Sequence, residues 1–175
     1  MRRRAFVLAA AGAALARPAA AAAALEGDPA ILDRLIAREE AAAYAHRLAF
    51  AAIRHRVGSE LSGFDAHEVE HARALRTQLA ALGREGPEAP RTDAELDRAA
   101  RELVQATGVA GSSEELVAAT LDAWIALEGS LIAAYGRALR ELAEPSIAQT
   151  AASILGGHAQ HRALLRREAG RDPLA

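Results

Sequence analysis

Between Phe64 and Leu82 the chain reads FDAHEVEHARALRTQLAAL, and stepping by three and four residues from Phe64 gives Glu68, His71, Leu75, Leu79 and Leu82. That period is the inward stripe of an amphipathic helix. A carboxylate and an imidazole stand among the apolar positions. Burying both is costly unless something compensates their desolvation, and a bound cation is a partner suited to both. Glu-x-x-His on a helix is also the unit by which helix bundles hold two-metal centres, although taken alone it equally describes a solvent-exposed pair.

Three further stretches offer partners on the same kind of stripe. The first helix is expected to start with Asp28 as its N-cap and Pro29 in its first turn, and to end before Gly58. Its apolar face passes through Leu32, Leu35, Ile36, Glu39, Ala43, His46, Phe50 and Ile53. Glu39 therefore points inward, and Glu40 is turned by about 100° toward the flank. His46, two turns along that face, is read as a histidine at the edge of the core, with a place behind the ligands as the other reading. Tyr44 is read as packing, with a place near the site as the alternative.

The second helix closes at Gly83, a C-terminal cap, and its His67 and Glu70 fall on a solvated flank. The breaker-rich stretch 84–92, a short amphipathic piece from Asp93 to about Thr107 and a link over 108–113 follow. This connection far exceeds the usual 2 to 8 residues between neighbouring antiparallel helices. A bundle with one long crossover between its second and third helices is the architecture that fits.

The third helix is expected to begin at a capping box of Ser112 with Glu115 and to run to about Leu142. Its stripe is Val117, Leu121, Trp124, Glu128, Leu131, Tyr135 and Leu142, with Glu128 the lone carboxylate. A neighbour's hydroxyl or arginine would satisfy it as well as a metal. The fourth helix opens at Pro145 and presents Ile147, Ala151, Ile154, His158, His161 and Leu165 before Gly170. Two inward histidines three residues apart can each ligate through one ring nitrogen and donate from the other. Gly156 and Gly157 beside them cost helix stability and are expected to make room, for a site or for local packing.

Ahead of these helices, residues 1–24 read as an export signal. Arg2, Arg3 and Arg4 precede an apolar run from Phe6 to Leu15 and Ala-x-Ala cleavage candidates. The Arg3-Arg4-Ala5-Phe6-Val7 order resembles the twin-arginine type. The run is short of the roughly 20 residues of a spanning helix, and no other segment is read as reaching that length. An extracytoplasmic domain over residues 25–175 is expected, without membrane insertion once the signal is removed. Removing Arg2, Arg3, Arg4 and Arg17 leaves 17 basic residues against 23 acidic ones, a balance that disfavours nucleic acid and anionic membrane as partners. The absence of cysteine excludes disulfides, thiolate metal sites and cysteine nucleophiles. Dominated by Ala, Leu, Glu and Arg, the composition points to an all-α domain.

Glu on the first helix, Glu-x-x-His on the second, Glu on the third and a histidine pair on the fourth resemble the ferritin-like superfamily of carboxylate-bridged two-metal proteins. More narrowly, Glu39 to Tyr44, His67 to His71 with Leu79 to Gly83, Leu127-Glu128 through Tyr135, and Ala151 to Arg166 are similar to a secreted ferritin-like domain family that includes desiccation- and stress-related proteins. The resemblance implies a ferritin-like four-helix bundle. It also implies Glu39 and Glu128 as terminal metal ligands, Glu68 as a bridging carboxylate, His71 and His161 as capping imidazoles, and Tyr135 as a group just behind the metals. His158 stands where the superfamily has a second bridging Glu. An imidazole does not span two metals, and three carboxylates remain instead of four. The expectation is therefore three histidines and three carboxylates holding one or two ions of iron or manganese, with zinc, copper or nickel as imidazole-favoured alternatives. An oxidase or ferroxidase-like centre, metal storage without turnover, and a stress-related scaffold with a decayed site are the three functional readings. A homo-oligomer stays open.

Overall fold

The computed structural model describes residues 17–86, 92–104 and 113–174. Among them lie five α-helices, α1 (Arg17–Ile53), α2 (Phe64–Ala81), α3 (Asp93–Val104), α4 (Ser113–Glu141) and α5 (Pro145–Glu168), with a 3-10 turn, Ser59–Leu61, ahead of α2 and no strand. Four of them, α1, α2, α4 and α5, form the bundle. The helix α3 lies within the long connection and packs against α1 and α4. The all-α bundle with a single crossover is thus the observed architecture.

Side-chain contacts fix the helix directions. Along the α1–α4 seam Asp28 meets Ala143 and Glu144, Glu39 meets Tyr135, and His46 meets Glu128. Residue numbers rise on one helix as they fall on the other, so the pair is antiparallel. The α2–α5 seam runs likewise, from Gln78 with Thr150 to Glu68 with His161. Two apolar clusters fill the interior. One gathers Ile53, Phe64, Leu121, Trp124 and Leu165 toward one end. The other gathers Leu32, Leu75, Leu79, Ile147 and Ile154 toward the opposite end. The ionisable residues of the inward stripes lie in the layer between.

Helix ends follow their chemistry. Gly83 closes α2 at φ 71°, with Gly83 N–H donating to Ala80 O at 2.9 Å and Arg84 N–H to Leu79 O at 3.2 Å. Gly170 closes α5 the same way at φ 68°, with its N–H on Arg167 O and that of Arg171 on Arg166 O. These are Schellman caps, in which a left-handed glycine lets the chain turn back on the last carbonyls. Helix α3 opens on a reciprocal pair, Thr92 N–H donating to Glu95 Oε2 at 2.9 Å and Glu95 N–H to Thr92 Oγ1 at 3.4 Å.

Three sequence expectations need correction or placement. Asp28 is not the N-cap of α1, which begins at Arg17 and carries Pro29 inside it. The alanine run ahead has the highest helix propensity and carries the helix across the proline at the loss of one backbone hydrogen bond. The Asp28 carboxylate, fully buried, instead accepts from the N–H groups of Ala143 (3.0 Å) and Glu144 (2.9 Å) in the α4–α5 turn. Asp28→Ala is expected to leave both donors unpaired and cost about 2–3 kcal/mol. Thermal unfolding should read this as a drop of roughly 5–10 °C. Next, α4 is long and apolar enough to cross a membrane by length and composition alone, contrary to the expectation that no segment outside the leader is. It packs here as a bundle helix with Glu128 facing inward. Finally, the export signal falls on residues 1–16, outside the described residues, and on the opening of α1; Ser112 of the expected capping box also lies outside them.

Candidate metal centre

Each bundle helix delivers its inward ionisable residues to the same level. Glu39 and His46 come from α1, Glu68 and His71 from α2, Glu128 from α4, His158 and His161 from α5. Glu39, Glu68, Glu128 and His158 are fully buried, and His46 and His161 nearly so. Only His71 reaches the surface, with its side chain 18% exposed. Glu40, turned to the flank, pairs with Arg76. All six residues singled out as ligands by sequence therefore meet in one place, and His46 joins them as a seventh.

The seven divide into two quartets whose donor atoms lie within 4.8 Å of one another: Glu39, Glu68, His71 and His158, and His46, Glu68, Glu128 and His161. Glu68 belongs to both, one oxygen to each. Its Oε2 is 2.7 Å from His71 Nδ1, while its Oε1 is 3.2 Å from His46 Nε2 and 3.1 Å from His161 Nδ1. The remaining carboxylates are split in the same sense. Glu39 Oε1 accepts from the Tyr135 hydroxyl at 2.6 Å and lies 3.1 Å from His158 Nε2, whereas its Oε2 has no hydrogen-bond partner. Glu128 Oε2 is 3.0 Å from His158 Nδ1, and its Oε1 has none.

Sequence reasoning placed His46 at the edge of the core, and the structure corrects this. His46 is 1% exposed, with Nε2 3.0 Å from Glu128 Oε1 and 3.2 Å from Glu68 Oε1. Yet neither of its nitrogens has a hydrogen-bond partner, because those close contacts are not aligned along an N–H direction. Cations seated in the two quartets would satisfy these atoms, one of them Glu39 Oε2 and the other Glu128 Oε1 and His46 Nε2, all of which are costly to leave buried and unpaired. Two imidazoles and two carboxylates per ion form a donor set suited to iron, manganese, zinc or copper. The residues fit a pair of divalent ions.

The expectation of three histidines with three carboxylates thus becomes four with three. His158 links the two quartets. Its Nε2 lies 3.1 Å from Glu39 Oε1 in the first, and its Nδ1 lies 3.0 Å from Glu128 Oε2 of the second.

Electrostatics follow from this crowding. Burial alone would lower the His158 pKa, but the carboxylates of Glu128 and Glu39 outweigh it and hold it raised to about 10. His71 is held raised to about 9 by Glu39 and Glu68 against the same burial penalty. His46 and His161 are also raised, by Glu128 and Glu68. Burial opposes ionisation of Glu68 and Glu128 too. Even so, the histidines bring Glu128 down to about 2 and hold Glu68 far below the carboxylate range. Burial raises the Tyr135 hydroxyl, and the Glu39 charge adds to the effect. Tyr135 therefore keeps its proton and orients Glu39 rather than serving as a base. Tyr44 is half-buried on the apolar cluster that includes Phe64 and Trp124, with the Arg47 guanidinium 5.2 Å from its ring centre.

His67, assigned to a solvated flank, is exposed but takes part. Its Nδ1 lies 2.9 Å from His161 Nε2, and its ring stacks on that of His161 at 5.2 Å and 13°. Phe64 stacks on the same imidazole at 4.0 Å. With Nδ1 facing Glu68 and Glu128, His161 can ligate only as the Nε2–H tautomer, which then donates to His67. His67→Ala is expected to weaken cation binding at the quartet containing His46 by about 10–100-fold and to spare the other, measured by competitive Zn(II) titration. Gly157 is the second glycine of its pair, and a Cβ there would lie 3.2 Å from the His71 ring, so this glycine makes room for a site residue. At Gly156 nothing lies within 4 Å.

A family described as a ferritin-like domain matches residues 33–171, a span that takes in both quartets. No curated protein and no solved structure matches the chain.

Proposed function

The chain belongs to the ferritin-like domain family, and on that premise we propose that it is an exported metal-binding protein holding two divalent ions, iron or manganese foremost, in an oxidase-like centre. The observation that carries this reading is the division of Glu68, which turns one oxygen toward His71 and the other toward His46 and His161. A site that had decayed to scaffold would have no need of three buried carboxylates and four imidazoles in contact.

Iron or manganese held there would supply valence change toward dioxygen or peroxide. The chain's own residues do the rest. Glu39, His71 and His158 would hold one ion and His46, Glu128 and His161 the other, with Glu68 shared. Tyr135 fixes the Glu39 carboxylate through Oε1 and leaves Oε2 to the ion. The apolar clusters flank the site at either end, and His71 is the most exposed of its seven residues. Three carboxylates leave one net positive charge on a pair of dications, so the centre favours the lower valence states and a small anion as an additional ligand. The leader features of residues 1–24 support export, and the twin-arginine type would carry the domain across already folded and loaded. The narrower likeness to desiccation- and stress-related proteins supports a protective role at the cell surface.

Oxygen consumption after adding Fe(II) to metal-free protein separates turnover from storage. Uptake that exceeds the uncatalysed rate and is lost in Glu68→Gln is the expected result. Uptake equal in the two proteins would leave a binding protein without oxidase chemistry.

A further inference from the structure

Away from the metal centre, α1 and α4 enclose a cavity of about 250 Å³ between them. Its floor is apolar, from Ile31, Leu35 and Ala138, and Arg34, Arg38 and Arg137 stand around it. Arg34 and Arg38 are four residues apart on one helix, a spacing at which like charges repel. None of the three arginines makes a hydrogen bond or ion pair with a described residue. The one carboxylate in the lining, Glu141, is exposed. Over the whole chain acidic residues outnumber basic ones, so this concentration of guanidinium groups is local and not part of a basic surface.

We propose that this groove is a binding site for a small organic polycarboxylate. Guanidinium forks pair with carboxylates in two-pronged fashion, and three of them lining one groove call for an anion with several carboxylates. The apolar floor suits a carbon skeleton and gives an inorganic oxyanion nothing to contact. The volume lies below that of pockets for drug-sized ligands, which limits the guest to a short-chain acid. The inference is independent of the metal reading, since no lining residue belongs to either quartet.

The probe is propane-1,2,3-tricarboxylate, titrated by calorimetry into the full chain at fixed ionic strength, with inorganic phosphate and sodium chloride in parallel. Saturable binding of the tricarboxylate, at least tenfold tighter than phosphate, is expected. It should weaken at least tenfold in the Arg34→Gln/Arg137→Gln double variant, whose two changed side chains are exposed, while that variant keeps its metal content. Glu68→Gln should bind the probe as the parent does. Equal responses to phosphate or chloride would reduce the groove to a patch of charge and overturn the proposal. So would undiminished binding by the double variant, or loss of binding in Glu68→Gln, which would place the tricarboxylate at the metal centre.

Discussion

Glu68→Gln is expected to remove both ions from the protein in one step. The amide is nearly isosteric, so the bundle should still fold. It carries no charge, however, and its NH2 end is a donor where one quartet needs an acceptor. Because Oε1 and Oε2 of Glu68 serve different quartets, one set of four loses a donor atom and the other keeps only a neutral amide oxygen in place of a carboxylate. Calorimetric titration with Mn(II) or Zn(II) should find two ions per parent chain and affinities at least 100-fold weaker at both positions in the variant. Glu39→Gln and His46→Ala are expected to behave differently, each losing one ion and keeping the other. A Glu68→Gln protein that still bound one ion at full affinity would mean that the carboxylate is not shared.

The second large effect is a reversal of pH dependence with loading. Without a cation the four imidazoles are held by three carboxylates, and protons take the place the metals would fill. His71 and His158 have folded pKa values of about 9 and 10 against 6.5. Their contribution to stability is whole below about pH 6.5 and is lost as pH rises through those values. Glu128 is brought from 4.5 to about 2, so its contribution is whole above 4.5 and lost as pH falls through 2. Chelator-treated protein should therefore be most stable between about pH 4.5 and 6.5 and decline by a few kcal/mol toward pH 10, at about 1.4 kcal/mol per pKa unit in principle. That corresponds to a fall of roughly 10 °C in Tm. Metal binding releases these protons, so the Tm increment on adding Zn(II) or Mn(II) should grow from pH 5.5 to 8.5. A constant increment would mean that the imidazoles are already neutral before the cation arrives.

Periodicity made most of this site legible. A stripe at steps of three and four residues says which side of a helix faces the core, and four such stripes placed Glu39 inward of Glu40 and found Glu68, Glu128, His158 and His161. The six inward residues of α5 read from sequence are the six that are buried. His46 was less legible because Phe50 and Ile53 follow it, and a histidine beside them is as natural at the rim of a core as at its centre. Its sequence signal was the two-turn spacing from Glu39, which puts both on one face. His67 had no such signal. It lies off the stripe of α2, and only the approach of His161 from α5 gives it a partner. Asp28 misled for the same reason, since Asp-Pro is a local start signal while the groups that take its carboxylate are more than a hundred residues away. Local rules read faces and caps; contacts between helices decide what a polar side chain at the margin does.

Anomalous diffraction from crystals soaked in Mn(II) is the most direct measurement. Two peaks per chain, roughly 3.5–4 Å apart on either side of the Glu68 carboxylate, with Glu39, His71 and His158 around one and His46, Glu128 and His161 around the other, are the predicted result. A single peak away from Glu68, or none between the four helices, would contradict the account.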